Sequence, residues 1–409
     1  MRTKLLSLLI VLISFQYSNA QIDSSLLRQV PADTSKTSMN MDAIYTRPSF
    51  QSNRLPIALG GYVEANYQHL GTDGVTEGSQ FQFRRLSLFI SSTISNRIKF
   101  LSEIEFEPGE SSIEVEFAAI DVELHPLVNL RGGMIVNPIG AFNQNHDGPK
   151  WEFTDRPIFA EQMLPDTWSN AGFGVYGKYY QKDWSFGYEF YLTSGFDDSI
   201  IANELNRTSL PSAKENKERF EESASGKPLV TAKLALKNAK IGEIGMSYMG
   251  HAYNNFEDDG LILDDKRKVK VAAVDFNTTL KWTDTFITGE FAWVFVDVPE
   301  TYSQQFGNKQ RGGFVDVVQP VLKQNILGWK DAVLNVGCRL EYVDFNWGKF
   351  RETDGNIGDD LWNIMPAVSF RPNSQTVLRL NYKILKQRDI LGNPPENTGG
   401  FILGLSSYF

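Results

Sequence analysis

The chain has very few of the residues that metal sites, disulfides and nucleophilic catalysis require. It contains one cysteine, Cys338, in 409 residues, which excludes a disulfide framework and a thiolate zinc site. The four histidines, His69, His125, His146 and His251, fall in separate predicted segments. No serine and histidine pair is therefore supported. We expect no enzyme activity, no metal site and no cofactor.

Long apolar runs and an excess of positive charge are also missing. A membrane-spanning helix needs roughly 18 or more apolar residues, whereas the body of this chain has no such run and the mean hydropathy is −0.28. With 49 acidic against 40 basic side chains, nucleic acid is not an expected partner. The chain is nevertheless rich in aromatic residues, with 28 Phe, 15 Tyr and 8 Trp, which excludes a disordered protein.

The first twenty residues have the order of a secretory signal peptide. Arg2 and Lys4 precede an apolar stretch from Leu5 to Phe15, and the small residues Ser18 and Ala20 follow. This arrangement predicts Sec-type export with signal cleavage near Ala20, because the apolar stretch is too short to span a bilayer.

Residues 21–55 and residues 56–409 differ in pattern. The first stretch is polar and has no sustained periodicity, and we interpret it as a polar tail in the periplasm. In the second, apolar and polar residues alternate in segments of about ten. One face of the third segment carries Ile98, Phe100, Ile104 and Phe106, and the other carries Lys99, Glu103, Glu105 and Glu107. Such alternation predicts β-strands with one apolar face.

The number and spacing of the segments indicate a closed barrel. Sixteen segments start near positions 57, 82, 97, 114, 129, 172, 184, 229, 244, 269, 286, 312, 331, 361, 377 and 398. Links after even-numbered segments are short, and most links after odd-numbered ones are longer. We therefore predict an all-β fold, a 16-stranded antiparallel transmembrane β-barrel with short periplasmic turns and long extracellular loops. A soluble β-sandwich also alternates, but the aromatic residues near segment ends favour lipid outside.

Several stretches of the sequence resemble motifs of one protein family, and they occur in the same order as in that family. These are FRRLSLFISSTISNRIKFLSEIEFE (83–107), LRGGMIVNPIG (130–140), WEFTDRP (151–157), AGFGVYGKYYQKDWSFGYEFYLTSGFDD (171–198), TLKWTDTFITGEF (279–291), LNVGCRLEYVDFN (334–346) and VLRLNY (377–382). Over nearly the whole body the chain resembles the phosphate-selective porins of the O and P type. The resemblance implies a sixteen-stranded outer-membrane barrel that is usually trimeric, with basic residues lining a pore for phosphate.

The inward faces of the predicted strands carry charges of both signs. The candidate pore-lining residues are Arg84, Arg85, Lys99, Glu103, Glu105, Arg131, Arg339 and Arg379. Arg84 and Arg85 match the family's paired arginines, and the alternative is that they form structural pairs with Glu103 and Glu105. A lumen of mixed sign favours weak selectivity, since excluding one ion requires rings of a single sign. The aromatic Phe409 ends the last strand, and we interpret it as the C-terminal residue for membrane insertion.

The loop after the fifth segment is the candidate constriction. It runs from Pro138 to Ala171 and contains Asn143, His146, Asp147, Lys150, Trp151, Asp155 and Arg156. Loops of this length are usually functional or mobile, and the third outer loop of large porins folds inward. The alternative is an external lid that packs on the barrel rim.

Together these patterns predict a passive diffusion channel in the outer membrane of a Gram-negative cell. Its partners are the lipid bilayer, small hydrophilic solutes or ions and, by the resemblance, two further copies in a homotrimer. The alternative is a non-conducting barrel whose lumen is filled by loops and which acts as a surface receptor or adhesin.

Overall fold

The computed structural model describes residues 38–47, 57–107, 112–205, 207–216, 220, 225–255, 257–258, 261–262, 265–299, 306–350, 353–390 and 393–409. The predicted signal peptide, residues 1–20, lies outside this set. So do residues 21–37 and 48–55 of the predicted tail.

Sixteen strands form a closed antiparallel barrel, which confirms the predicted fold class. A separate two-stranded hairpin, β10 (Glu257–Asp258) and β11 (Leu261–Ile262), lies between the ninth and tenth barrel strands. The barrel strands are β1 (Ile57–Thr72), β2 (Val75–Ser95), β3 (Ile98–Glu107), β4 (Ser112–His125), β5 (Val128–Val136), β6 (Ser169–Gln181), β7 (Trp184–Thr193), β8 (Leu229–Asn238), β9 (Gly242–Ala252), β12 (Lys268–Leu280), β13 (Thr285–Val296), β14 (Lys309–Ile326), β15 (Trp329–Asp344), β16 (Asp360–Arg371), β17 (Thr376–Gln387) and β18 (Glu396–Tyr408).

The alternation of apolar and polar residues in the sequence places apolar side chains on the outer face of the barrel wall and polar side chains on the inner face. In β17, Leu378 and Leu380 are 42% and 46% exposed on the outside, while Arg379 and Asn381 are 1% and 0% exposed on the inside. Successive side chains of a strand point to opposite faces. The barrel therefore has an apolar outer surface and a polar inner wall along this strand.

The two ends of the barrel differ in the length of their links. Links after even-numbered strands are short, from two residues (96–97) to four (372–375), and we call this side the turn end. The other side, the loop end, carries the long links 137–168 and 194–228 but also the two-residue link Asp73–Gly74 between β1 and β2. Strand β2 consequently begins at Val75, seven residues before its predicted start near position 82.

Pro366 lies inside β16, where a missing N–H interrupts the sheet. The pairs between β16 and β17 run from Leu361 to Ile364 and resume at Ala367 with the register unchanged. Proline has no backbone donor for a ladder bond. The strand tolerates Pro366 because its other neighbour, β15, pairs with it opposite Cys338.

The barrel closes between its first and last strands. Strand β1 pairs with β18 from Tyr62–Tyr408 to Thr72–Thr398. Beyond the last pair, the Phe409 amide donates to the Gly61 carbonyl at 3.0 Å, and the Gly61 amide donates to the Phe409 carbonyl at 3.3 Å. A Cβ atom on residue 61 would lie 2.7 Å from the Phe409 ring. Gly61 thus lets the ring lie against the seam.

The inside of the barrel holds packed chain segments. Residues 137–168, which we call the inner loop, pack on the inner faces of β8 to β16. So do residues 194–205 and residues 207–216, which include helix α1 (Leu210–Glu215). Phe142, Phe159 and Trp168 lie in this apolar cluster and are at most 1% exposed. None of the described helices has the length and apolar character of a membrane span.

Residues 38–47, which we call the N-terminal segment, also lie against the inner wall. Met39 and Met41 pack on Ala235 of β8, and Ile44 packs among Leu101 and Phe117 of β3 and β4. These ten positions belong to the stretch, residues 21–55, for which the sequence predicts a polar tail. Their apolar residues lack periodicity, but three of them are buried.

Candidate functional site

A belt of charged side chains lines the inner wall near the middle of the strands. All its members are less than a tenth exposed: Glu64, Arg85, Glu103, Arg131, Glu189, Lys233, Asp275, Glu290, Asp316, Arg339 and Arg379. Acids and bases alternate from β1 to β12, and buried charges require partners of this kind. Beyond that part of the barrel, three acids follow one another on β12, β13 and β14, and two bases follow on β15 and β17. Asp316 and Arg339 stand directly opposite each other on β14 and β15 and form two bonds of 2.7 Å.

The inner loop crosses the barrel at the level of this belt. The amides of Ala141 and Phe142 donate to Glu290 of β13 at 2.9 Å each, and the Ile158 amide donates to Glu341 of β15 at 3.0 Å. A loop inside a barrel has backbone donors that no ladder satisfies. Carboxylates of the wall accept those bonds and hold the loop in the lumen.

Asn143 closes the base of the inner loop. Its side-chain amide donates to the carbonyls of Asn137 and Trp168 at 2.7 and 2.9 Å, and its oxygen accepts from the Trp168 amide at 2.7 Å. These bonds tie the first and last residues of the loop together. Asn143 is 8% exposed, so the structure places it in a bracing position.

His146 and Asp147 form a buried cluster with Glu103 of β3 and Arg47 of the N-terminal segment. The distances are 2.7 Å for Arg47–Glu103, 2.5 Å for Arg47–Asp147 and 3.4 Å for His146–Glu103. Burial on its own lowers the pKa of His146, but the hydrogen bond and charge of Glu103 outweigh it and raise the pKa to about 9. His146 is therefore a cation at neutral pH. Burial would raise the pKa of Asp147, but the nearby Arg47 holds it well below its usual range.

Lys150 and Trp151 face the turn end. Lys150 Nζ lies 3.3 Å from Asp147 and donates to the Ala43 carbonyl at 3.2 Å. The Trp151 ring packs 4.9 Å from the Phe142 ring, and its N–H donates to the Asn145 carbonyl at 2.7 Å. These side chains border a cavity of about 370 Å³ whose wall also includes Asn40, Asn277, Phe314, Arg371 and Tyr408.

Asp155 connects the inner loop to both sides of the wall. Its carboxylate lies 2.6 Å from Arg84 of β2 and 3.2 Å from Lys383 of β17. Arg156, the next residue, lies 3.0 Å from Asp166 and 4.0 Å from Glu105. Burial would raise the pKa of Asp155, but Lys383 and Arg84 lower it below its ordinary value. This arrangement keeps Asp155 ionised and joins the loop to two strands.

A β-bulge places both Arg84 and Arg85 inside the barrel. In β2, Arg85 pairs with Glu64 and Phe83 pairs with Ala65, so Arg84 is the extra residue. Adjacent strand residues otherwise face opposite sides, and a bulge changes this. Arg84 keeps 31% of its side chain exposed beside Asp155, whereas Arg85 is buried beside Glu64 and Glu105.

The predicted pore-lining residues fall into two groups by exposure. Arg84 and Lys99 remain open, with 31% and 44% of their side chains exposed. The other six face inward but are buried, because the inner loop, the N-terminal segment or a facing ion pair covers them: Arg85, Glu103, Glu105, Arg131, Arg339 and Arg379. These six side chains point into the barrel but are not exposed to the open lumen.

Some residues of the site cannot be found from periodicity. Arg47 belongs to a stretch without alternation, and its role depends on Glu103 and Asp147, which lie 56 and 100 positions away. Lys233 and Asp275 lie on strands whose apolar and polar residues alternate, so the sequence indicates that both side chains face inward. Their ion pair at 3.2 Å depends on the order of the strands in the barrel.

A cavity of about 260 Å³, lined by Glu114, Glu116, Thr167 and Lys214 among others, lies toward the loop end.

Gly140→Ala is expected to detach the start of the inner loop. Gly140 has a φ of +71°, and an added Cβ would lie 1.7 Å from Glu290 Oε1. Because Glu290 holds two loop amides, we expect a loss of about 1–3 kcal/mol in the free energy of unfolding. Equilibrium unfolding by urea in lipid vesicles measures this change. Gly226→Ala is the matched control, since φ is +62° there and no atom lies within 4 Å. Equal losses in the two variants would contradict the role of the Glu290 contact.

Comparison with known proteins supports the fold. No family model matches the chain. A protein of Aquifex aeolicus (strain VF5), described only as uncharacterized, is 37% identical over 128 residues, and the match spans 30% of this chain and 29% of that protein. The structure is similar to an anion-selective porin from Comamonas acidovorans, with a TM-score of 0.53 and 12% identity over 86% of this chain and 99% of that one. It is also similar to the outer membrane channel DcaP of Acinetobacter baumannii, with a TM-score of 0.52 and 12% identity over 86% and 97% of the two chains. At these identities the similarity concerns the barrel fold.

Proposed function

We propose that this protein is an outer-membrane porin, a passive diffusion channel for small hydrophilic solutes or ions. The observation that carries the proposal is a closed sixteen-stranded barrel, apolar outside and charged inside, that the inner loop crosses at mid-height. A closed barrel satisfies every backbone group without water and can span lipid. Inward loops of this kind set the width and the field of a pore.

The proposed location is the outer membrane, reached by export and cleavage near Ala20. The exposed side chains of the wall, among them Leu380, Leu403 and Phe173 at 46%, 51% and 75%, provide the apolar surface that lipid requires. Membrane fractionation tests this location. Recovery of the protein in the soluble fraction without detergent would contradict it.

Selectivity in this proposal is weak, with a modest preference set by a few open charges. Arg131, Arg339 and Arg379 each lie within 2.8 Å of a carboxylate, at Asp121, Asp316 and Glu64. Paired guanidinium groups are poor receptors for a passing anion, because their donors are already used. The phosphate preference that the family resemblance implied would depend on the more exposed positions Arg84 and Lys99.

Replacing Arg84 and Lys383 with Gln is expected to shift ion preference toward cations. Both side chains lie beside Asp155, and their removal leaves its negative charge uncompensated. A unit charge about 6 Å from an ion in water contributes about 0.7 kcal/mol, or about a threefold change in the permeability ratio. Reversal potentials in planar bilayers with chloride, phosphate and potassium measure it.

The control for this experiment is Lys240→Gln at the turn end. Lys240 pairs with Asp183 and keeps 63% of its side chain exposed. It belongs to the link between β8 and β9, away from Asp155, so we expect no change in reversal potential. An unchanged potential in the Arg84 and Lys383 variant would remove these residues from the permeation path.

Assembly as a homotrimer is part of the proposal. The outward face of the β1–β2 hairpin carries Phe81, 85% exposed, whose ring packs 4.9 Å from Tyr67, together with the 48% exposed Phe83. A contiguous apolar face of this kind is suited to contact with a second copy. Crosslinking in native membranes, followed by mass measurement, distinguishes a trimer from a monomer.

A second candidate is a non-conducting barrel that serves as a surface receptor or adhesin. The observation in its favour is the amount of chain inside the barrel, where the inner loop, residues 194–205 and 207–216, and the N-terminal segment all pack on the wall. Single-channel recording separates the two candidates. A water-filled pore gives discrete conductance steps, and a plugged barrel gives none.

A further inference from the structure

The N-terminal segment occupies the barrel through side-chain contacts. Its hydrogen bonds between backbone groups are internal, from Asp42 to Met39, from Ala43 to Asn40 and from Tyr45 to Asp42. Within the described part of the chain, it makes no backbone ladder with any strand. A segment held in this way leaves the wall intact when it moves, since every strand keeps both of its neighbours.

Polar contacts along its whole length attach the segment to its surroundings. From its start, Lys237 binds the Ser38 carbonyl, Glu243 accepts from the Asn40 amide at 3.1 Å, and Lys178 pairs with Asp42. Farther along, Lys150 of the inner loop donates to the Ala43 carbonyl, and Arg47 ends the segment between Glu103 and Asp147. The segment therefore runs from β8 and β9 to β3 and contacts the inner loop.

Arg47 is bound as a ligand would be. Its Nε and Nη2 atoms donate to the two oxygens of Asp147 at 3.0 and 2.5 Å, and Nη2 also donates to Glu103 at 2.7 Å. The guanidinium lies 3.7 Å from the centre of the Phe89 ring. Two-pronged carboxylate bonding and an aromatic face are the two preferences of a guanidinium.

Two cationic side chains and one hydroxyl group also face these carboxylates. His146 lies 3.4 Å from Glu103, Lys150 lies 3.3 Å from Asp147, and the Tyr408 hydroxyl donates to Asp147 at 2.6 Å. Arg47 Nη1 and Glu103 Oε1 are buried and have no hydrogen-bond partner among the described residues. A buried pair with an unused donor and an unused acceptor is weak evidence for stability. Arg47 therefore makes a specific contact that leaves one of its donors unused.

We propose that Glu103, Asp147 and Phe89 form a guanidinium-binding site inside the barrel, and that Arg47 fills it as an internal ligand that holds the N-terminal segment in the lumen. Solutes bearing a guanidinium group compete for this site. The segment narrows the lumen at the turn end while Arg47 is bound, and it opens the lumen when Arg47 leaves.

This inference rests on the proposed channel function, and the binding site is testable apart from it. Arg47→Ala removes the internal ligand and leaves Glu103, Asp147 and Phe89 in place. In planar bilayers we expect the variant to show higher single-channel conductance than the unmodified protein. L-arginine at roughly millimolar concentration should then block the variant's current, as expected for one guanidinium site.

L-citrulline is the matched control probe, because it has the size of arginine but a neutral urea group. We expect it to leave the current of Arg47→Ala unchanged. Adding Glu103→Gln and Asp147→Asn to Arg47→Ala should abolish the arginine block. Equal conductance of the unmodified and Arg47→Ala proteins, or equal block by arginine and citrulline, would overturn the proposal.

Two further experiments test the proposed site if Arg47→Ala fails to fold or if no protein conducts. If Arg47→Ala does not fold, deletion of residues 21–47 removes the segment with its charge and leaves the barrel strands complete. If no protein conducts, the porin function fails, and calorimetric titration of Arg47→Ala in detergent tests the site directly. Binding of arginine but not citrulline there would support the site, and equal binding or none would reject it.

Discussion

Replacing residues 138–167 with a two-residue Asn-Gly turn should raise single-channel conductance roughly twofold or more, because the conductance of a water-filled pore follows its open cross-section. This replacement leaves the strands of the barrel wall unchanged. Val136 and Ser169 are paired, and the Asn137 amide donates to the Trp168 carbonyl at 2.8 Å. A tight hairpin turn can therefore join Asn137 to Trp168 without moving β5 or β6.

The control for this deletion is a second loop shortened in the same way. Residues 254–266 link β9 and β12, whose ends Ala252 and Lys268 are paired. The hairpin β10–β11 in this link pairs with itself. We expect an Asn-Gly replacement there to leave conductance nearly unchanged. A conductance that stays the same after removal of residues 138–167 would show that the inner loop does not limit the flow.

Arg339→Ala should lower the free energy of unfolding by about 3–5 kcal/mol, because it leaves the carboxylate of Asp316 buried without its partner. Asp316 is 1% exposed, and both of its oxygens accept from Arg339 at 2.7 Å. Arg339 also donates to the Asp155 carbonyl of the inner loop at 2.7 Å. Reversible urea unfolding in lipid vesicles measures the loss.

Two controls distinguish the effect of leaving Asp316 without a partner from the effect of removing a charge. Arg339→Met combined with Asp316→Leu removes both ions, and replacing a buried ion pair by apolar residues of similar size is often neutral. We expect this double variant to recover most of the stability. Lys99→Ala should cost less than about 1 kcal/mol, because the Lys99–Glu123 pair is more than 40% exposed on both sides. A loss in Arg339→Ala no larger than in Lys99→Ala would show that the Asp316 site takes up water.

The sequence predicts the wall well because period-two alternation is a local property. Arg379 and Asn381 face inward and Leu378 and Leu380 face outward, as the pattern in that segment indicates. Of the sixteen predicted strand starts, β2 differs most from the structure. There the strand extends before the predicted boundary through the polar residues Thr76 to Gln80, which lack the apolar alternation, to the tight turn at Asp73 and Gly74. This turn is shorter than most links after odd-numbered strands.

The interior is harder to predict, since it depends on contacts between distant residues. Alternation gives the side of the wall on which Glu103 lies, but not that Arg47 covers it. The paired arginines show the same limit. Only the bulge at Arg84 turns both residues inward, and the pairing of β1 with β2 determines that bulge. The exposure of the candidate residues depends on two segments that have no repeating pattern, the inner loop and the N-terminal segment.

The seam between β1 and β18 determines when the barrel can be completed during assembly. Tyr62 pairs with Tyr408, so this contact joins the first barrel strand to the last. The other barrel strands pair with strands that are close to them in the sequence. Contacts between distant residues form slowly, and an open sheet presents two unpaired edges that attract other chains. We therefore expect closure to be a late step of assembly. Until β18 arrives, a growing sheet of this protein needs protection at both edges.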